Sequence, residues 1–152
     1  GIGYRNNFVG ISISKPGLDD QEGVLNNIFA LLNKANVPVH MVSFGIDDGT
    51  ILIDKKYINK KGKLDGINRN LLDSLGDGTQ VEIKSELGVV SIVGEGMKGH
   101  AGIDAQVAKT LADQRVNIIM SNQTGLENAI SRVINHSDSK FAVNALYDIF
   151  FN

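Results

Sequence analysis

The sequence predicts an α+β fold built from two β-α-β-β-α-β modules, each an antiparallel four-stranded sheet with helices on one face. The first observation behind this prediction is an internal repeat. With an offset of 79 residues and no gap, Gly17 aligns with Gly96 and Gly23 with Gly102. The second observation is that both copies read apolar strand, glycine loop, helix and apolar strand. A period close to half of the 152 residues indicates two copies of one unit.

Each element of the first copy follows from its apolar period. Alternating apolar residues predict half-buried strands, and apolar residues three and four apart predict helices. Asp19 or Asp20 is expected to cap the first helix, since an aspartate accepts from free N–H groups. Gly45–Gly49 is expected to form a hairpin turn. In chain order, strand, helix, strand, strand, helix and strand are predicted at 8–14, 24–35, 38–44, 50–53, 67–75 and 80–86.

The second copy ends one strand short of the first. Its predicted strand, helix, two strands and helix lie near 89–93, 103–114, 116–122, 128–134 and 141–150. A missing last strand exposes a sheet edge, so the residues Gly1–Tyr4 are expected to fill it. The predicted domains are therefore 7–86, and 87–152 completed by residues 1–5. Because the chain starts inside a strand, we expect it to be cut from a longer polypeptide.

Composition argues against several classes of partner. Lysine and arginine number 15 against 17 acidic residues, a net charge of −2, which favours neither nucleic acid nor an anionic membrane. No apolar run reaches the roughly 20 residues that span a bilayer. With no cysteine there are no disulfides, and the three histidines lack the spacing of metal ligands. We expect a cytoplasmic protein without a bound metal.

One motif suggests a nucleotide. Glycines at 94, 96 and 99 form Gly-x-Gly-x-x-Gly between a strand and a helix. A dinucleotide fold also needs an acidic residue at the end of the next strand, about 20 residues on. That strand runs into Ser121, Asn122 and Gln123 instead. A nucleotide-dependent enzyme therefore stays the less favoured alternative.

Three segments carry a family resemblance. They are Val-Val-Ser-Ile-Val-Gly-Glu-Gly-Met-Lys (89–98), Val-Asn-Ile-Ile-Met-Ser-Asn-Gln (116–123) and Ala-Leu-Tyr-Asp-Ile-Phe-Phe (145–151). Together with the tandem modules they resemble the C-terminal regulatory region of aspartokinases, a pair of ferredoxin-like ACT domains. The resemblance covers nearly the whole chain, and in the first half it rests on Ser-Lys-Pro-Gly-Leu and on Gly-Ile-Asp-Asp (45–48).

The resemblance implies regulation rather than catalysis. In that family an N-terminal kinase domain phosphorylates aspartate with ATP, the first step towards lysine, threonine and methionine, and the ACT pair binds an end product that inhibits it. The kinase's opening Lys-Phe-Gly-Gly-Thr-Ser motif does not occur in this sequence. We therefore expect no catalysis from this chain alone and no cofactor in it, since ATP and Mg²⁺ would belong to the kinase domain. An ACT pair serving another biosynthetic enzyme or a transporter is the alternative.

The resemblance also implies an effector site where two first modules meet in a homodimer. N–H groups at Gly23–Leu25 could bind the effector's α-carboxylate, and Asp19 or Asp47 its ammonium group. The implied residues are Leu18, Asp19, Gln21, Gly23, Val24, Leu25, Pro38, Val39, His40, Phe44, Gly45, Ile46 and Asp47.

The identity of the effector stays open at this point. Relatives tend to carry an acidic residue where this chain has His40, and a histidine is a poor partner for a lysine ammonium. Threonine and methionine are therefore candidates beside lysine. A second candidate site in the second module comprises Met97, Ile103, Asn122 and Gln123.

Overall fold

The computed structural model describes residues 1–126 and 128–152, with the exception of the Glu95 side chain. Six strands and four helices follow one another along the chain, with short 3₁₀ turns between some of them. They are β1 (Ile2–Ser14), α1 (Val24–Lys34), β2 (Met41–Phe44), β3 (Asp48–Asp54), α2 (Lys63–Leu75), β4 (Gln80–Val93), α3 (Ile103–Asp113), β5 (Met120–Gln123), β6 (Ala129–Asn135) and α4 (Ser139–Phe151).

The strands form one six-stranded sheet in the order β2-β3-β1-β4-β6-β5. The prediction of two separate four-stranded sheets is wrong in this respect, although the antiparallel pairing and the helices agree with it. The strands predicted at the N-terminus and at 8–14 are one strand, β1, and those at 80–86 and 89–93 are one strand, β4. Asn7 and Glu86 have positive φ, 64° and 56°, but neither residue ends its strand.

The chain divides into two compact units. The first unit comprises residues 7–85, and the second unit comprises residues 1–6 with 86–152. The core of the first unit lies between α1, α2 and the sheet. Val24, Ile28 and Leu32 of α1 are spaced four residues apart, so they share one helix face and are buried together. They pack with Val9, Ile11, Ile13, Ile51, Ile53, Ile67 and Leu71.

The core of the second unit repeats this arrangement with α3 and α4. Val107 and Leu111 of α3 pack with Ala142 and Leu146 of α4 over the strands β4 and β6. Apolar strand residues at alternate positions, Val90 and Ile92 among them, face this cluster. Arg132 of β6 is a charged residue at a buried position, with 4% of its surface exposed.

The sequence offset recurs in the structure. α1 and α3 each have 11 residues, and α2 and α4 each have 13. Asn36 and Arg115, which are 79 residues apart, both have positive φ near 60°. Side chains repeat as well, because Ser12 and Thr50 in the first unit and Ser91 and Ser131 in the second each form a 2.8 Å hydrogen bond.

The predicted aspartate cap of the first helix is wrong. Gly23 is the N-cap of α1 and Gly102 that of α3, with φ of 72° and 90°. Asp19 and Asp20 lie earlier, in a 3₁₀ turn at Leu18–Asp20. Glycine is suited to these caps because it adopts positive φ without the steric penalty of a Cβ atom.

Two further differences concern length. β2 begins at Met41 rather than at residue 38, in keeping with the lack of an N–H donor at Pro38. The hairpin turn is shorter than predicted, since β3 already begins at Asp48. Among the helices of the described residues, none combines the length and apolar character that crossing a membrane requires.

Candidate functional site

A cavity of about 260 Å³ lies at the N-terminal end of α1. It is bounded by the turn that follows β1, by the first turn of α1 and by the end of β2. We call it the first cavity. Its lining residues are Leu18, Asp19, Gln21, Gly23, Val24, Leu25, Asn26, Phe44 and Gly45.

The turn after β2 holds the turn after β1 in place. The N–H of Lys15 donates to the carbonyl of Asp47 over 2.8 Å, and the N–H of Asp19 donates to that of Ile46 over 3.0 Å. The Asp47 side chain adds a third link, because its Oδ1 accepts from the N–H of Gly17 at 2.9 Å. These bonds fix the wall of the first cavity that carries Leu18 and Asp19.

The two carboxylates that sequence reasoning considered have different surroundings. The Asp47 carboxylate accepts a backbone hydrogen bond that supports the turn. Asp19 lines the first cavity, close to the N-terminus of α1. The first N–H groups of an α-helix have no acceptor within the helix, and the helix dipole makes this end partly positive. The first cavity therefore combines a carboxylate, a helix N-terminus and an apolar wall.

The other residues of the predicted first site lie elsewhere. Pro38 and Val39 line a separate groove beside α1. The ring of His40 lies against that of Phe8, with centroids 4.6 Å apart. Ile46 is 70% exposed, and its contribution to the turn is the backbone bond to Asp19. Sequence reasoning missed Asn26, which helical spacing would have placed one turn after Gly23.

A second cavity, of about 320 Å³, occupies the equivalent place in the second unit. Three of the predicted residues, Met97, Ile103 and Gln123, line it, whereas Asn122 does not. With the offset of 79 residues these three correspond to Leu18, Val24 and Phe44 of the first cavity. Sequence reasoning missed the remaining lining residues, which are Gly99, His100, Ala101, Gly102, Asp104 and Ile130.

An ion pair lies next to the second cavity. Nη2 of Arg132 contacts Oδ1 of Asp104, and Nη1 of Arg132 donates to the carbonyl of Ser131 over 2.9 Å. The Arg132 side chain is 5% exposed and that of Asp104 61%. Burial lowers the pKa of the Arg132 guanidinium, which nevertheless stays protonated at neutral pH. Strand alternation could have revealed this residue, since Ile130, Arg132 and Ile134 share the core-facing side of β6.

The glycine motif at 94–99 is not in a dinucleotide-binding setting. Such a site lies between a strand and a helix of a βαβ unit in a mostly parallel sheet. Here β6 lies between β4 and β5, and pairs antiparallel with both. Over the part of the chain that the structure describes, no three His, Asp or Glu side chains are grouped as metal ligands.

Comparisons with known proteins agree with this architecture. The family model described as "ACT domain" matches residues 90–150. Aspartokinase 3 of Bacillus subtilis is 30% identical over 151 residues, which are 99% of this chain and 33% of that protein. The chain therefore spans about a third of that relative's length.

Two solved structures have the same fold over 99% of this chain. One is Clostridium acetobutylicum aspartate kinase, with 27% identity, a TM-score of 0.91 and 34% of that chain covered. The other is a structure of aspartokinase alpha and beta subunits, with 28% identity, a TM-score of 0.84 and 97% of that chain covered. With the matched ACT domain and the two repeated units, these likenesses show that the chain belongs to the aspartokinase family, as its regulatory region.

Proposed function

We propose that this region senses an end-product amino acid, lysine, threonine or methionine, and transmits feedback inhibition to an aspartate kinase domain. The observation that carries the proposal is the first cavity, which combines the N-terminus of α1, the Asp19 carboxylate and apolar side chains. A volume of about 260 Å³ lies just below the range of about 300–1,000 Å³ that is usual for drug-sized ligands, which favours a small molecule.

The chemistry of the first cavity suits an α-amino acid. The effector's α-carboxylate would accept hydrogen bonds from the first N–H groups of α1, where the helix dipole favours negative charge. Its ammonium group would pair with Asp19, and its side chain would contact Leu18, Val24 and Phe44. The apolar character of these three residues favours threonine or methionine over the ammonium end of lysine.

A homodimer is part of the proposal. β2 is the outer strand of the sheet on the side of the first cavity, and Phe44 and Gly45 at its end line that cavity. An outer strand presents unpaired N–H and C=O groups to another chain. A second copy that pairs at β2 would cover the open side of the cavity and could place its own residues against the effector.

Inhibition requires that the effector distinguish between two arrangements of the enzyme. A ligand shifts an equilibrium only by the difference between its affinities for the two states, typically about 1–3 kcal/mol. The Clostridium relative is described as an allosteric enzyme. We propose the same linkage for the protein that contains this chain.

Calorimetry and sedimentation test the proposal together. Lysine, threonine and methionine would be titrated separately into the chain, with NAD and ATP as controls, and the sedimentation coefficient would be measured with and without each ligand. We expect one or more of the amino acids to bind and the chain to sediment as a dimer. Binding of NAD or ATP with no response to any amino acid would contradict the proposal.

A further inference from the structure

The two cavities differ at one pair of positions. In the first unit, Leu25 on α1 lines the cavity, and Ile51 on β3 belongs to the core. The equivalent positions in the second unit are Asp104 on α3 and Arg132 on β6. The strand register establishes this, since Ile11 faces Ile51 and Val90 faces Arg132 across equivalent strands. An apolar pair has thus been replaced by an ion pair.

The ion pair connects the second cavity to the interior. Asp104 lines the cavity and remains 61% exposed, while the guanidinium that it contacts is almost completely buried. A buried guanidinium requires an anionic partner, because desolvation without one is expensive. Asp104 lies near solvent and its carboxylate can be rehydrated, so it can leave the guanidinium if another carboxylate takes its place.

We propose that Arg132 is the carboxylate-recognising residue of the second cavity, and that an amino acid binds there by displacing Asp104 from the guanidinium. This inference rests on the proposed function, namely that the chain senses free amino acids. The ligand's α-carboxylate forms charge-assisted hydrogen bonds with the guanidinium, for which the planar fork of arginine is well suited. The released Asp104 carboxylate pairs with the ligand's ammonium group.

The exchange keeps every charge paired. Before binding, the guanidinium is neutralised by Asp104, and after binding by the ligand. A zwitterionic ligand supplies both the carboxylate for Arg132 and the ammonium group for Asp104. The two sites then differ in kind, since the first uses helix N–H groups and Asp19 whereas the second requires a carboxylate on its ligand.

The experiment replaces the ion pair with the apolar pair of the first unit. Calorimetry with threonine, lysine and methionine would compare the unaltered chain with the double variant Asp104→Leu/Arg132→Ile, after circular dichroism has established that the variant is folded. We expect two binding events per chain in the unaltered protein. In the variant we expect the second event to weaken roughly tenfold or more, because a charged hydrogen-bond partner is lost.

A ligand series provides a test without any variant. The primary amides of the same amino acids keep the ammonium group and the side chain but lack the carboxylate charge. We expect these amides to lose the binding event at the second cavity, and chemical shifts of residues 97–104 to respond to the acids and not to the amides. Arg132→Lys keeps the charge without the planar fork, and we expect it to weaken the second event alone.

The outcomes separate this inference from the proposed function. Two binding events that persist unchanged in the double variant and with the amides would overturn the role of Arg132 and leave amino-acid sensing intact. A single event that involves the first cavity only would have the same meaning. Failure of all three amino acids to bind anywhere would overturn the proposed function itself.

Discussion

The hydroxyl of Tyr4 on β1 lies 2.7 Å from Nδ1 of His136, in the 3₁₀ turn that precedes α4. The two rings are stacked, with centroids 5.9 Å apart. Gly88 lies under Tyr4, and a Cβ atom at this glycine would overlap the tyrosine ring. The N-terminal end of β1 is thereby fastened to the second unit by a side chain as well as by the backbone bonds between Gly1 and Val93.

Replacing Tyr4 with phenylalanine should destabilise the second unit by about 1 kcal/mol, the usual contribution of one hydrogen bond. The variant keeps the ring and loses the hydroxyl that contacts His136. Chemical denaturation monitored by circular dichroism measures the change. Tyr147→Phe, at a side chain that is 51% exposed, is the matched control and should have almost no effect.

The alkaline pH dependence of stability should change in the same variant. Burial raises the pKa of Tyr4 above its ordinary value of 10.0, against a smaller opposing effect of a hydrogen bond to Ser139. Above pH 10 the unfolded chain loses this phenol proton first, so the contribution of Tyr4 is complete below that pH and declines as the pH rises. Tyr4→Phe should therefore show a shallower loss of stability above pH 10. An identical slope would contradict the burial of this hydroxyl.

Two aspartates of α3 provide a matched comparison of ion pairs. Asp104 and Asp113 are both 61% exposed, but the partner of Asp104 is buried Arg132 and that of Asp113 is Lys109, which is 75% exposed. Asp104→Ala should cost about 1–3 kcal/mol because it leaves a buried charge unpaired, whereas Asp113→Ala should cost about 0.5 kcal/mol or less. Equal losses in denaturant unfolding would mean that water already neutralises Arg132.

The shape of the first cavity depends on Gly49. A Cβ atom at this position would lie 2.6 Å from Cγ of Phe44, a residue that lines the cavity. Gly49→Ala should displace the Phe44 ring and weaken effector binding roughly tenfold, with stability reduced by about 1–3 kcal/mol. Gly3→Ala is the control, since a Cβ atom there meets nothing within 4 Å. Calorimetry on both variants would refute the role of Phe44 if their affinities were equal.

Local patterns accounted for most of the elements but not for how they join. Four-residue spacing predicted the buried face of α1, and alternation predicted β3 and β6 to within about two residues. The continuity of β1 and β4 was missed because Asn7 and Glu86 adopt positive φ inside strands, a choice that tertiary packing makes. The glycine caps were missed because aspartate has the stronger intrinsic preference for N-cap positions.

The candidate site was predictable where it follows the chain and not where it depends on distant strands. Residues of the turn and helix from Leu18 to Leu25 line one cavity, as adjacency in sequence suggests. Pro38, Val39 and His40 were expected there as well, but they line another groove or contact Phe8. The partner of Asp104 lies 28 residues away on β6, and a lone arginine in an apolar strand does not identify it.

The central claim is that the first cavity binds an amino acid through Asp19, and calorimetry of Asp19→Asn against Asp20→Asn tests it most directly. The two residues are adjacent, exposed and identical in charge, but only Asp19 lines the cavity. Asp19→Asn should weaken binding of the effector at least roughly tenfold, the effect of losing one charge-assisted hydrogen bond, and Asp20→Asn should leave it unchanged. Equal affinity in the two variants, or stronger loss in Asp20→Asn, would contradict the account.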